Sequence, residues 1–373
     1  MTYDHDELSR LVLITEQLEV AVALLRTESI AHARAALILL DHHAEIMLNG
    51  HFDSLFRAGD GKGSLAGRPY KRGERQKLRE FGVKVDAAAG VGPLGQGVPT
   101  VLDVDDAACL KLAHRHRNAA HHLDQHNPGV LELICLLQIR SVCHLLPATM
   151  ESISISFAGR ELPEVLVRHE VKARDLTGLR SAIELPGAAQ QVAHSITAEL
   201  ELPLAGVKGA LADDLLDRGG AAIRVIKRLL EDGLPADDLH FAIAHDEFWE
   251  RHGSDAQLVE LLQRTDSWHR RDEADANNRF PAEVREDMET ANRERNERYV
   301  ELQRDFRPRA RDKSAIDAIE RSEELLGLSE LAEVVELYDQ LDHDLAIFER
   351  HLPAAVGALN ARVERQMDFA LER

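Results

Sequence analysis

Aromatic side chains are scarce in this chain, at 4% of 373 residues, and Ala and Leu are abundant. That balance excludes a core built on large rings and favours helices packed through aliphatic groups. Cysteine is nearly absent too. Cys109, Cys135 and Cys143 lie in apolar stretches, with spacings that fit neither a zinc ribbon nor a secreted disulfide framework, so they are expected as reduced core thiols. The N-terminus MTYDHDELSR lacks the basic and apolar segments of a secretory signal. Uninterrupted apolar runs of bilayer length are lacking as well: the longest candidate, GVLELICLLQIRSVCHLLP, carries Glu132, Gln138 and Arg140. The sequence therefore predicts a cytoplasmic protein with no membrane partner. Positive charge is in deficit, giving a formal net charge of −20. Such a chain does not grip nucleic acid broadly, because non-specific binding is driven by Lys and Arg neutralising phosphates. Any nucleic-acid chemistry must be local.

What is present reads as helix. LSRLVLITEQLEVAVALL, within 6–26, and SIAHARAALILLDHHAEIMLNGHF, to about Phe52, place aliphatic residues at helical spacing, with Ser29 as the N-cap of the second. Residues 57–100 form a Gly-rich, Pro-punctuated excursion around the basic stretch KRGERQKLRE, expected to be mobile in part. A helix capped by Asp103, Asp105 or Asp106 then runs through ACLKLAHRHRNAAHHLD and weakens before Asn127-Pro128-Gly129. A strongly apolar helix, 129–146, is stopped by Pro147. SISISFAGRELP is the one segment whose alternation suggests a strand, which places a domain boundary near 148–163. Beyond it helices are expected near 171–184, 187–199, 207–217 and 220–232, with a break at Gly219-Gly220. A charge-dense solvated helix is expected within 266–312, and a last helical run over about 314–370. The expected fold class is all-α: an N-terminal helical bundle over 1–150, and a second helical region over 151–373 with no assigned role.

The chemistry concentrates in His114-Arg115-His116-Arg117-Asn118-Ala119-Ala120-His121-His122, four histidines and two arginines in nine residues. On an ideal helix, Cys109, Ala113, His116, Ala120 and Leu123 share one face, taken as the buried one. His114, Arg115, Arg117, Asn118, His121 and His122 fan across the other, available to solvent, a partner or a substrate. Asp41 and Glu45 stand one turn apart on the second helix. They could orient a histidine, although acids at a solvent edge are the commoner arrangement.

The run Arg117-Asn118-Ala119-Ala120-His121-His122 resembles the R-x-x-x-x-H signature of the HEPN superfamily, in which a polar residue, often Asn, follows the arginine. An apolar helix bearing an acid precedes it and an apolar helix follows, as in that family. The resemblance covers about residues 8–147. It implies metal-independent endoribonuclease chemistry at a homodimer interface, with Arg117 and His122 catalytic and Asn118, His121, Arg115 and Glu45 in support. It implies no cofactor and no metal, and an RNA substrate left with a 2′,3′-cyclic phosphate and a 5′-hydroxyl. A toxin or anti-phage role follows by the same resemblance, with the C-terminal helices free to hold an antitoxin or a sensor partner. The residue types suit that chemistry: an imidazole exchanges protons near neutral pH, and a guanidinium holds a phosphate and its developing charge. Arg117 and His122 lie about 140° apart on a regular helix, so distortion or a second copy is needed to aim both at one phosphate.

Other motifs are weaker. Gly90-Val91-Gly92-Pro93-Leu94-Gly95 satisfies G-x-G-x-x-G, but no strand precedes it and Pro93 interrupts it, so it reads as a flexible loop. Gly61-Lys62-Gly63-Ser64 lacks the first glycine of a phosphate loop. The sets His42, His43, His51 and His245, Asp246, His252 match no metal motif and read as structural histidines. A second class of function stays open: a non-catalytic helical interaction protein whose HEPN-like part serves as a dimerisation platform.

Overall fold

Leu8, Leu11, Ile14, Leu18, Ala21 and Leu25 recur every three or four residues and are all buried, which winds α1 (Tyr3–Leu25) as a helix with one apolar stripe. The same spacing through Leu37, Leu40, Ala44, Met47 and Leu48 builds α2 (Ile30–Asp60). Ser29 stands at its N-terminal boundary, its carbonyl accepting from the amide of Ala33. The computed structural model describes residues 3–27, 29–60, 72–120, 128–150, 153–158, 161–175, 180–198, 200, 202–231, 236–257, 260, 282–305, 308 and 312–371. The remaining elements in chain order are α3 (Arg72–Lys77), α4 (Phe81–Ala88), α5 (Gly92–Gly95), α6 (Val104–Ala120), α7 (Pro128–Thr149), β1 (Ser154–Ala158), α8 (Glu164–Arg168), β2 (Arg174–Asp175), β3 (Arg180–Glu184), α9 (Leu185–Thr197), α10 (Leu204–Glu231), α11 (Ala236–His252), α12 (Ala282–Asp305), α13 (Asp312–Gly327) and α14 (Leu331–Leu371). The fold is all-α, with one small three-stranded sheet among the described residues.

Two units are formed, residues 1–214 with 322–339, and residues 215–321 with 340–373. In the first, α2 packs against α1, α6 and α7, and α9 closes on α7 and α1. The boundary expected near 148–163 falls inside this unit, because the buried side of α9 (Leu185, Ala188, Ala189, Val192, Ile196) completes its core. Asp103 caps α6, its Oδ1 accepting from the Asp106 amide at 2.7 Å. Residues Gly129–Thr149 are long and apolar enough to cross a bilayer, but 72% of the most apolar stretch is buried in the protein, which accounts for its composition. The three cysteines are buried, and burial pushes each thiol up to about 12.

Several expected boundaries are corrected. The described residues within 171–184 are not helical: β3 pairs antiparallel with β1 and β2, placing buried Ile155 opposite buried Ile183. That pairing is long-range, and local spacing does not encode it. Pro147 does not stop α7, which runs to Thr149 with the proline inside it. The described residues of the 57–100 excursion are largely helical: α2 extends into it, and α4 packs on α6 and α2. Gly90-to-Gly95 is a tight turn and not a flexible loop. Gly90 takes a φ of +72°, and a Cβ on Gly95 would stand 2.6 Å from the Gly90 carbonyl carbon. Residues 61–71, including Gly61-Lys62-Gly63-Ser64, and residues 266–281 of the expected charged helix lie outside the described residues.

In the second unit no break occurs at Gly219-Gly220, since α10 is continuous. Gly219 serves packing there: a Cβ would come within 2.9 Å of Ile319 and 3.0 Å of the Ala315 carbonyl oxygen. Arg218 on α10 joins Asp342 and Glu349 on α14, each at 2.6 Å. His351 sits between Asp246 and Glu250, at 2.8 and 3.2 Å. The last helical run is two helices, α13 and α14, separated at residues 328–330.

His43 on α2 is buried, and neither ring nitrogen finds a hydrogen-bond partner. Burial, reinforced by neighbouring His42, lowers its pKa from the ordinary 6.5 to about 4. The unfolded chain takes up this proton near pH 6.5 and the folded chain does not. Its contribution to stability is therefore complete above about pH 6.5 and lost as the pH falls towards 4. A His43→Leu variant should show a shallower acid limb in urea unfolding, by about 3 kcal/mol between those pH values. Parallel limbs for variant and wild type would contradict it.

Candidate functional site

Asp41 occupies the apolar face of α2. Leu37, Ala44 and Leu48, at helical spacing around it, are fully buried, and so is the Asp41 carboxylate. An ionised carboxylate in such surroundings requires cationic or hydrogen-bonding partners. Helix α6 supplies them. His114 Nδ1 lies 3.0 and 3.1 Å from the two Asp41 oxygens, and Arg117 Nε lies 3.4 Å from Oδ2. The second contact is an ion pair without hydrogen-bond alignment, for Nε is buried and makes no hydrogen bond. The guanidinium instead donates through Nη1 to Asn118 Oδ1 at 3.0 Å.

The excursion between α2 and α6 completes the surroundings. Phe81 of α4 stacks on the His114 ring, with centroids 4.1 Å apart and planes 16° from parallel. Lys84 is buried beside it and donates from Nζ to Asn49 Oδ1. Burial lowers the Lys84 pKa, opposed by the Glu45 and Asp53 carboxylates. Glu45, one turn after Asp41 and about a third exposed, approaches His114 Nδ1 to 3.8 Å.

The structure brings together part of the expected set. Arg117, Asn118 and Glu45 gather around Asp41 and His114. Arg115 points elsewhere, pairing at 2.5 Å with Asp339 at the start of α14. His116 is buried as expected, with its ring 6.4 Å from that of Tyr338 and nearly parallel. His121 and His122 lie outside the described residues. The expectation that His114 and Arg115 fan towards solvent is corrected, since each is held by a carboxylate of a neighbouring helix. Asp41 at a solvent edge is corrected too. The pattern Leu37-Asp41-Ala44-Leu48 places Asp41 on the buried stripe, and that spacing was the available signal. Phe81 and Lys84 carried none, being 40 and 43 residues from Asp41 in sequence.

Chemically, the arrangement fixes a guanidinium and an imidazole on one helix through one buried carboxylate. The His114 ring is oriented with Nδ1 turned to Asp41, a contact that fixes the direction of the other ring nitrogen, Nε2. Arg117 is partly exposed, and a guanidinium carries more donors than its contacts with Asp41 and Asn118 occupy among the described residues. No family model, curated protein or solved structure matches the chain.

Asp41 anchors this group and Glu45 does not. Asp41→Ala should lower unfolding stability by roughly 2–3 kcal/mol in urea melts, and Glu45→Ala by less than about 1 kcal/mol. Equal losses in the two variants would show that the buried carboxylate is not the anchor.

Proposed function

We propose that the chain is a metal-independent endoribonuclease of the HEPN type, cleaving RNA by attack of a ribose 2′-OH on the adjacent phosphodiester. One observation carries the reading. Arg117, the arginine of the R-x-x-x-x-H run, is gathered with His114 against a buried acid on the preceding helix, so the motif helix presents an oriented cationic group. In this reading Arg117 binds the phosphate and stabilises its developing negative charge. His122 takes the 2′-OH proton or returns one to the leaving 5′-oxygen. Asn118, bonded to Arg117, fixes the guanidinium plane. His114, held by Asp41, positions the site, with Glu45 beside it. His121 and Arg115 remain in support, Arg115 through its bond to Asp339. Two copies of the motif meeting about a two-fold axis would let Arg117 of one act with His122 of the other. A toxin or anti-phage role, and an antitoxin or sensor held by the C-terminal helices, belong to the same proposal.

A non-catalytic interaction protein is the second reading, and one observation favours it. Arg115 and His116, in the middle of the histidine-rich run, serve packing against Asp339 and Tyr338.

Incubating the pure protein with total RNA in excess EDTA separates the two. The wild type should leave 2′,3′-cyclic phosphate ends, and Arg117→Ala and His122→Ala should each cut the rate by about 100-fold or more. Intact RNA with wild type, or cleavage unchanged in both variants, would favour the interaction protein.

A further inference from the structure

The residues that position the proposed ribonuclease site also form a set of metal-ligating atoms, a use that the cleavage chemistry does not require. Asp41 and Glu45 project from the same side of α2, and His114 Nδ1 faces both from α6; their ligand atoms lie within 4.8 Å of one another. Donors about 2.1 Å from a tetrahedral Zn2+ stand about 3.4 Å apart. The His114–Asp41 separation of 3.0 Å and the His114–Glu45 separation of 3.8 Å straddle that value, and the Asp41 and Glu45 oxygens lie within 4.8 Å of each other, so closing the carboxylates on one ion takes side-chain adjustment and no movement of α2 or α6.

Three features point beyond a chance cluster of acids. One donor is an imidazole whose ring is pinned by Phe81 with Nδ1 already directed at the carboxylates. Asp41 is wholly buried, which fixes its carboxylate in place. The cation now nearest its Oδ2, Arg117, holds it through a 3.4 Å contact in which Nε makes no hydrogen bond. Lys84, whose charge interacts with Glu45, is engaged with Asn49.

The geometry points to a binding site for one divalent transition-metal ion of the zinc type, held by Asp41, Glu45 and His114 and competing with Arg117 for the Asp41 carboxylate. Binding releases any Nδ1 proton to solvent and leaves a fourth coordination position for water. It also ends the attraction that seats Arg117, whose partly exposed side chain then turns to solvent. The ion is thus an inhibitor of the proposed ribonuclease and no participant in its chemistry. Inhibition rests on that reading, whereas binding does not.

The test titrates EDTA-stripped full-length protein with ZnCl2 against a chromophoric chelator. Wild type should bind one tight equivalent. Glu45→Gln, a substitution at a partly exposed position that leaves the fold in place, should weaken it about 10-fold or more. His114→Ala should abolish it. Arg117→Ala, which removes the competing cation, should tighten it by roughly 3-fold. No tight equivalent in wild type, an equivalent undiminished in Glu45→Gln and His114→Ala, or weaker binding in Arg117→Ala would each overturn the site. Where wild type cleaves RNA, stoichiometric Zn2+ should suppress cleavage and EDTA restore it; cleavage insensitive to bound Zn2+ would overturn the inhibitory role. Where wild type binds Zn2+ but leaves RNA intact, the ribonuclease reading fails and the metal site stands.

Discussion

A carboxylate sealed inside an aliphatic helix bundle costs several kcal/mol unless charge or hydrogen bonds answer it, and Asp41 sets that demand at the middle of α2. Helix α6 answers with His114 and Arg117, and that answer fixes the face of α6 turned to α2. With α6 fixed, Cys109, Ala113 and His116 turn to the core, and Arg115 comes within reach of Asp339. The ring of Phe81 then covers His114 on its outer side, which gives the Gly-rich excursion a structural purpose.

The polar run on α6 is thereby divided among neighbours. His114 and Arg117 serve the buried acid, Arg115 and His116 pack on the first turns of α14, and Asn118 remains exposed beside the guanidinium it accepts from. A helix that is cationic by composition presents a small part of its charge outwards. This agrees with a chain whose formal net charge is −20.

The helical core was largely legible in the sequence, because aliphatic residues at helical spacing are dense in α1, α2 and α7. The burial of His116 and Cys109 followed from the helical wheel of α6, and that of Cys135 and Cys143 from the apolar stretches around them. What stayed hidden depended on partners distant in sequence. Residues 180–184 become a strand only because β1 lies beside them, and Gly219 sits mid-helix because α13 presses against it. At the candidate site, the acid pair and the cluster of histidines and arginines facing it were readable, whereas His121 and His122 lie outside the described residues. The burial of Asp41 was open to inference from Leu37, Ala44 and Leu48, but the commoner behaviour of helix acids outweighed it. Phe81 and Lys84 could not be placed without the packing of α4 on α6.

If the buried carboxylate acts through Arg117, the two residues must be coupled in function and not merely adjacent. The direct measurement is a double-mutant cycle on RNA cleavage using Asp41→Asn, Arg117→Ala and the pair. The account predicts that Asp41→Asn slows the wild type yet adds little once Arg117 is gone, leaving the pair close to Arg117→Ala alone. Independent, multiplying losses, or a fully active Asp41→Asn, would contradict it.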